Sequence, residues 1–233
     1  MHQHQQRYIV AGYKPWNRLT YDNMIVTIPG EWHFVAAREE LTMELLERLQ
    51  PDYLFFLHWS WKVAPEIIER FECVNFHMTD VPYGRGGSPL QNLIMRGIQE
   101  TTLSAIRMTD EMDAGPVYLK EPLSLDGTAE KIYVRASDLA AGMIKRIVEE
   151  RLVPVEQQGV PTYFTRRAPS ESRIPAGLKP EGIYDFIRML DAEGYPRAFV
   201  EEAGFRFEFS GPELNNGYIG ATVKIILPSE EAR

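Results

Sequence analysis

Apolar residues recur along this chain with two periods, and the switch between them marks out its elements. Short apolar runs predict strands over residues 7–12, 24–28, 32–36, 52–57, 101–108 and 116–119. Apolar positions three and four apart predict helices over 38–49, 64–71, 88–98 and 129–152. In the first helix Leu41, Leu45 and Leu49 share one face. In the longest, Ile132, Ala136, Leu139, Met143 and Ile147 form the stripe, and Asp126 or Thr128 offers a cap. Strands alternating with helices imply an α/β fold, with a mostly parallel sheet and helices on its faces.

The pattern changes after residue 152. Residues 153–175 hold Pro154, Pro161, Pro169 and Pro175, with Arg166, Arg167 and Arg173 interspersed, which reads as an extended connector. A helix follows, with Ile183, Phe186, Ile187 and Leu190 on one face and Gly194 at its end. Phe205, Phe207 and Phe209 alternate strictly, the mark of a half-buried strand. Asn215, Asn216 and Gly217 turn the chain before a strand at 223–227. The expected division is a main domain over 1–165, then a connector and small helix-plus-hairpin region over 166–233. That appendage is too small for a large core of its own, so its phenylalanine face needs cover from the main domain or a second subunit.

Residues 73–89, CVNFHMTDVPYGRGGSP, carry the strongest chemical signal. They read as strand, Gly-rich loop and helix start. Asn75 and His77 are two apart on the strand, so both face the same way. Ser88 suits an N-cap, Pro89 a first helical position, and Gln91 completes a capping box. In open α/β sheets, ligands bind at the carboxyl ends of strands. An Asn amide can face a developing oxyanion, and a His can move a proton near neutral pH. Asp113, in TDEMDAGPVY, stands before a Gly-Pro turn and could aim a carboxylate at the imidazole. Alone, each of the three also fits a structural role; Asp113, for instance, suits an Asx turn before Gly115. Asp80 suits a turn-stabilising carboxylate. The stretch 84–87 is either an anion-binding nest or a loop passing close to its neighbour.

Two other strand ends offer polar and aromatic residues. In YKPWNR (13–18), Lys14, Trp16 and Asn17 could hold a phosphate, a ring and a hydroxyl; the alternative is a surface loop with one anchoring Trp. In HWSWKV (58–63), two tryptophans could line a flat-ring pocket or pack in the core, with His58 as a structural histidine.

Bulk properties narrow the class. With 233 residues, 44% hydrophobic and 25% charged, the chain has the composition of a soluble globular protein. A formal net charge of −8 opposes generic nucleic-acid binding. One cysteine, Cys73, excludes an internal disulfide and points to a reducing compartment. No leader-like apolar stretch and no run near the ~20 residues of a membrane span is seen, so a cytoplasmic enzyme with no membrane partner is expected. The chain lacks G-x-G-x-x-G. Its five histidines, His2 and His4 at the start and His33, His58 and His77 beyond, show no metal-ligand spacing, and no metal is expected.

Asn-x-His, a loop rich in Pro and Gly, and Asp-x-Gly-Pro downstream together resemble the folate-dependent formyltransferases. FTRRAPSESRIP and IYDFIRMLDAEGYPRAF resemble the segment closing that family's catalytic domain, so the likeness covers roughly residues 50–210. HMTDVPYGRGGSPLQNL is most similar to sugar N-formyltransferases of the pseudaminic-acid type. The resemblance implies a Rossmann-like sheet of the formyltransferase type and N10-formyltetrahydrofolate as formyl donor. It implies Asn75, His77 and Asp113 as catalytic residues. Trp61, Met108, Asp110 and Asp113 would stand on the folate side, and Lys14, Trp16, Asn17, Tyr83 and Arg85 on the acceptor side. The expected acceptor is a nucleotide-linked amino sugar, with no nucleic acid as partner and the chain a homodimer. The alternatives are a methionyl-tRNA formyltransferase-like enzyme, a formyl-folate hydrolase, and a folate or nucleotide-sugar binding protein without turnover.

Overall fold

The computed structural model describes residues 5–227, so His2 and His4 lie outside the described residues. In chain order the elements are β1 (Arg7–Ala11), α1 (Pro15–Asn23), β2 (Glu31–Val35), α2 (Met43–Leu49), β3 (Tyr53–Phe56), α3 (Pro65–Arg70), β4 (Cys73–His77), β5 (Arg85–Gly86), α4 (Pro89–Ile94), β6 (Glu100–Arg107), β7 (Val117–Ser124), α5 (Ala129–Glu150), β8 (Tyr163–Phe164), α6 (Pro180–Arg188), β9 (Ala198–Glu202), β10 (Phe205–Asn215) and β11 (Tyr218–Ile226). They form two compact units that interleave in sequence. The first takes the chain up to Gly86, Thr101–Leu123 and Val134–Tyr163; the second takes Gly87–Glu100, Ser124–Tyr133 and the chain from Phe164.

The first unit is built on a six-stranded sheet of order β2-β1-β3-β4-β6-β7. β1 runs parallel to β2 and β3, and β3 parallel to β4, while β6 is antiparallel to β4. The strands are apolar because the sheet is covered: Ile9, Val10, Leu54, Phe55 and Val74 have 1% exposure or less. On one face of the sheet Ile9, Leu54 and Phe56 join Leu45, Leu46 and Ile67 from the helices in one core.

Three sequence expectations shift here. The run at 24–28 is no strand but a 3-10 turn, Ile25–Thr27, with Ile25 wholly buried. α1 starts at Pro15, where a loop was expected, and runs to Asn23; Met24, its C-cap, donates its N–H to Thr20 O at 2.9 Å and leads straight into the 3-10 turn. The helix expected over 38–49 splits. A short 3-10 turn, Arg38–Glu40, comes first, and Thr42 Oγ1 then accepts from Leu45 N at 3.2 Å to cap α2, which leaves Leu41 outside the helix.

The second unit holds the antiparallel sheet β11-β10-β9 and α6. Asn215 pairs with Tyr218, so Asn216 and Gly217 form a two-residue turn, with Gly217 at φ +91°. Arg188 is buried at the end of α6. It donates from Nη1 to Leu125 O and Gly127 O at 2.5 and 3.0 Å, and from Nε to Asp185 at 2.6 Å. The capping box expected at Ser88 and Gln91 is absent. Ser88 is left-handed (φ +51°) and its hydroxyl accepts from Arg167 N at 3.0 Å, while Gln91 Nε2 donates to Tyr133 OH and Met189 O. Tertiary partners have taken both side chains, and α4 ends at Ile94, short of the expected 98.

Candidate active site

β4 ends in the first unit with Asn75 and His77 on one side of the strand. Asn75 stands in register with Phe56 on β3 and Ile106 on β6, and His77 with Ser104. Asn75 Nδ2 donates to Asp113 Oδ1 at 3.0 Å. His77 Nδ1 lies 3.5 Å from Asp113 Oδ2, and both side chains are 7% exposed. The other ring nitrogen, Nε2, sits 2.8 Å from Gly84 O. A carbonyl only accepts, so Nε2 carries the hydrogen. Gly86 N–H donates to Asp113 Oδ2 at 3.0 Å. The structure thus brings the three expected catalytic side chains into one bonded cluster.

The Gly-rich loop and the loop after β6 converge on this cluster for definable reasons. Gly84 N–H donates to Thr162 Oγ1 at 2.7 Å and Arg85 N–H to Thr162 O at 3.0 Å. Lys120 Nζ holds Asp80 Oδ1 at 2.5 Å and Val81 O at 2.6 Å, so Asp80 acts through an ion pair at the loop's entry. Asp113 is left-handed, at φ +54°. Gly115 follows because a Cβ there would lie 1.9 Å from Arg107 O. That contact is a physical reason for the Gly of the Asp-x-Gly-Pro pattern.

Gln157, which the sequence did not single out, joins the two loops. Its Nε2 donates to Asp113 O and Gly115 O, both at 2.8 Å, and its Oε1 accepts from Arg85 Nε and Nη2 at 3.2 and 2.9 Å. Arg85 also reaches Glu111 through Nη1 at 3.2 Å. The guanidinium expected to hold an acceptor is therefore engaged within the fold and only 9% exposed.

The ends of β1 and β3 carry an aromatic group. The Tyr13 and Trp61 rings lie 4.6 Å apart, and Trp59 and Trp61 4.9 Å apart, edge to face. Tyr13 OH bonds Ser60 Oγ at 2.8 Å. Trp59 and Trp61 are half-buried, as is Met108, which packs with Trp59 against the core; Asp110 is exposed. The reading of 58–63 took in both tryptophans, whereas that of 13–18 named Lys14, Trp16 and Asn17 and not Tyr13. The acceptor-side residues expected beside them are differently placed. Asn17, 1% exposed, accepts from Lys14 N at 3.2 Å and donates to Ser137 Oγ at 3.1 Å, so it fixes the first turn of α1. Trp16 is 4% exposed and Lys14 8%, with Lys14 Nζ 5.0 Å from the Tyr13 ring centre. Tyr83 is exposed. His58, edge-on to Trp16 and Tyr13, has its imidazole pushed down to about 3 by burial and then by the Lys14 ammonium. Among the described residues no group of three or more His, Cys, Asp or Glu could hold a metal ion, and no helix is long and apolar enough to cross a membrane.

Comparison with known proteins supplies the family. A family model described as formyl transferase matches residues 17–148, and one described as methionyl-tRNA formyltransferase, C-terminal domain, matches residues 169–226. A solved methionyl-tRNA formyltransferase from Clostridium thermocellum is 44% identical, with a TM-score of 0.93 over 95% of this chain and 99% of that one. The curated methionyl-tRNA formyltransferase of Rickettsia felis is 27% identical over 69% of this chain. That match covers 54% of the curated protein, so this chain spans about half the length of such relatives. A 4-N formyltransferase structure from Francisella tularensis shares the fold at 14% identity, with a TM-score of 0.67 over 86% of this chain and 94% of that one.

These findings correct two expectations. A nucleotide-linked amino sugar as acceptor, and the exclusion of nucleic acid, both rested on the small appendage and the net charge of −8. The appendage matches the C-terminal domain of methionyl-tRNA formyltransferases, and the high identity over nearly two whole chains is to a protein of that name. Net charge averages over the whole surface and does not report a local contact. With the match at residues 17–148 covering more than half of its length, the chain belongs to the formyl transferase family.

Proposed function

We propose that this chain transfers a formyl group from N10-formyltetrahydrofolate to the amine of methionyl-tRNA. The observation that carries the chemistry is the Asn75–His77–Asp113 cluster, a half-buried amide joined to a buried imidazole and carboxylate at the end of an otherwise apolar strand. The acceptor is supported by the 44% identity, over nearly the whole of both chains, to a methionyl-tRNA formyltransferase.

The residues fit the folate donor. Half-buried Trp59 and Trp61, with Tyr13 against them, offer faces to a flat ring. Trp61, Met108, Asp110 and Asp113 are the residues assigned to hold it. The donor supplies an electrophilic formyl carbon. The protein's part is to place donors and move a proton. The Asn75 amide has two N–H groups; one is on Asp113, and the second is the kind of donor needed where negative charge develops on a carbonyl oxygen. His77 Nδ1 is the ring atom that accepts a proton, because Nε2 already donates to Gly84 O. Asp113 Oδ2 faces Nδ1 and steadies the ring when it carries both protons. Burial of the imidazole and the carboxylate strengthens these interactions by excluding water.

The test is direct incubation with formyl-folate and methionyl-tRNA, with the aminoacyl group read by mass and salt varied between about 50 and 200 mM. Formyl-methionyl ester that falls as salt rises supports the reading. Methionyl-tRNA left unchanged at every salt concentration, by folded protein, overturns it.

A further inference from the structure

We propose that Gln157 is a positioning residue for the Asp113–His77 pair, because its carboxamide clamps the loop that carries Asp113 to the loop that carries Gly84. The argument starts from Asp113. It is a non-glycine residue in the left-handed region, at φ +54°, a conformation that persists only where neighbours hold it. Its side chain is bonded to Asn75 and Gly86, but its backbone is held by Gln157 Nε2, which also takes Gly115 O. The same amide's oxygen accepts twice from Arg85. Arg85 lies between Gly84, whose carbonyl receives His77 Nε2, and Gly86, whose N–H reaches Asp113 Oδ2. All four hydrogen-bonding capacities of one amide are in use, with the donors on the Asp113 loop and the acceptor on the Arg85 loop. A carboxylate cannot take its place, since it has no N–H for the two carbonyls. An apolar side chain would leave both carbonyls and the guanidinium without that partner. Gln157 touches neither ring nitrogen nor carboxylate of the cluster, so it acts through the backbone.

This inference rests on the catalytic reading of His77 and Asp113. The test uses the full chain with formyl-folate and methionyl-tRNA, and compares Gln157→Glu, Gln157→Ala, Asp113→Asn and the Gln157→Ala/Asp113→Asn pair. Gln157→Glu keeps the size and the Arg85 contact but removes both donors. It should lower kcat by about tenfold to a hundredfold with KM for both substrates nearly unchanged, because the pair is misplaced and not removed. With ¹⁵N-histidine labelling, the His77 ring nitrogens should shift at pH 7 in the ligand-free variant. The double variant should be no slower than Asp113→Asn alone, since Gln157 has nothing left to position. Parental kcat with unmoved His77 nitrogens in Gln157→Glu, or multiplicative losses in the double variant, would overturn the proposal. If both Gln157 variants fail to fold, Arg85→Met releases the clamp from its other side. It must then move the His77 nitrogens, or the proposal is wrong. Undiminished turnover in Asp113→Asn would instead sink the catalytic reading, a result distinct from any seen at Gln157.

Discussion

The central sheet and the C-terminal sheet break opposite rules. β4 lies inside a covered six-stranded sheet yet carries Asn75 and His77. The β9–β11 sheet leaves Val223, Ile225 and Tyr218 at 45%, 55% and 65% exposure. The two departures differ in what they demand of neighbouring residues. A buried polar group is costly unless it is bonded. So Asn75 and His77 require Asp113, which requires Gly86 N–H, Gln157 and a glycine at 115. One chemical choice on β4 thereby fixes residues in three distant segments, and that rigidity suits chemistry that needs donors in place. An exposed apolar side chain makes no such demand.

The largest effect should come from breaking the buried cluster at its centre. His77→Ala should reduce formyl transfer by about 10²–10⁴-fold, the usual worth of a positioned proton-transfer group. The fold should survive, because the imidazole bonds one carbonyl and one carboxylate and leaves the strand pairing intact. Single-turnover transfer beside a thermal melt checks both points; turnover within a few-fold of the parent in folded protein would remove His77 from the mechanism. Next comes Gly115→Ala, which inserts a Cβ at 1.9 Å from Arg107 O and 3.0 Å from Thr109 Cγ2. The loop bearing Asp113 must move, at a cost of about 1–3 kcal/mol typical of overpacking. The urea midpoint and kcat should fall together. An unchanged midpoint would show that this loop is not held as tightly as the cluster requires.

Much of the fold was legible because its patterns are local. The apolar strands, the stripe of α5 and the Asn216–Gly217 turn each follow from a few neighbouring residues. What was not legible depended on distant partners. Pro15 and Trp16 read as loop because proline also suits the first turn of a helix, where α1 places it. Ser88 had every property of an N-cap, but Arg167 N, 79 residues away, took its hydroxyl. Of the candidate site, Asn75, His77 and Asp113 stood out through their joint pattern, Asn-x-His before a Gly-rich loop and Asp-x-Gly-Pro downstream, since each alone also fits a structural role. Gln157 was not, since a glutamine in a connector signals nothing until the chain brings it to Arg85, 72 residues earlier. Asn17 and Arg85 were expected on the acceptor side from their places in loops at strand ends, and in the fold they bond Ser137 and Gln157.

A smaller effect should appear at His58, which lies at the edge of the aromatic group and outside the polar cluster. Its imidazole is pushed down to about 3, so the folded chain keeps it neutral where the unfolded chain, near the ordinary ~6.5, binds a proton. The unfolded state therefore holds more protons between those values, and stability rises with pH through that window. His58→Asn should flatten this rise by up to one proton's worth of slope, measured as urea midpoints from pH 4 to 7. An identical slope in parent and variant would show that the ring charges freely in the fold.

The smallest effect should come from the C-terminal sheet, and it tests the other half of the comparison. Ile225 pairs with half-buried Phe207 across β10 and β11, and is 55% exposed. Ile225→Thr keeps the branched Cβ that suits a strand and removes apolar surface that water already reaches. Little burial is lost, so unfolding free energy should stay within about 0.5 kcal/mol of the parent, as for most surface substitutions. Turnover should not change, because no residue of the buried cluster is touched. The informative failure is a large one. A loss above about 2 kcal/mol, with a lower mass by sedimentation at the same concentration, would mean that this face is covered in solution by another copy of the chain. The contrast between a demanding buried strand and an undemanding exposed sheet would then dissolve, since both would be interiors, one of a subunit and the other of an assembly.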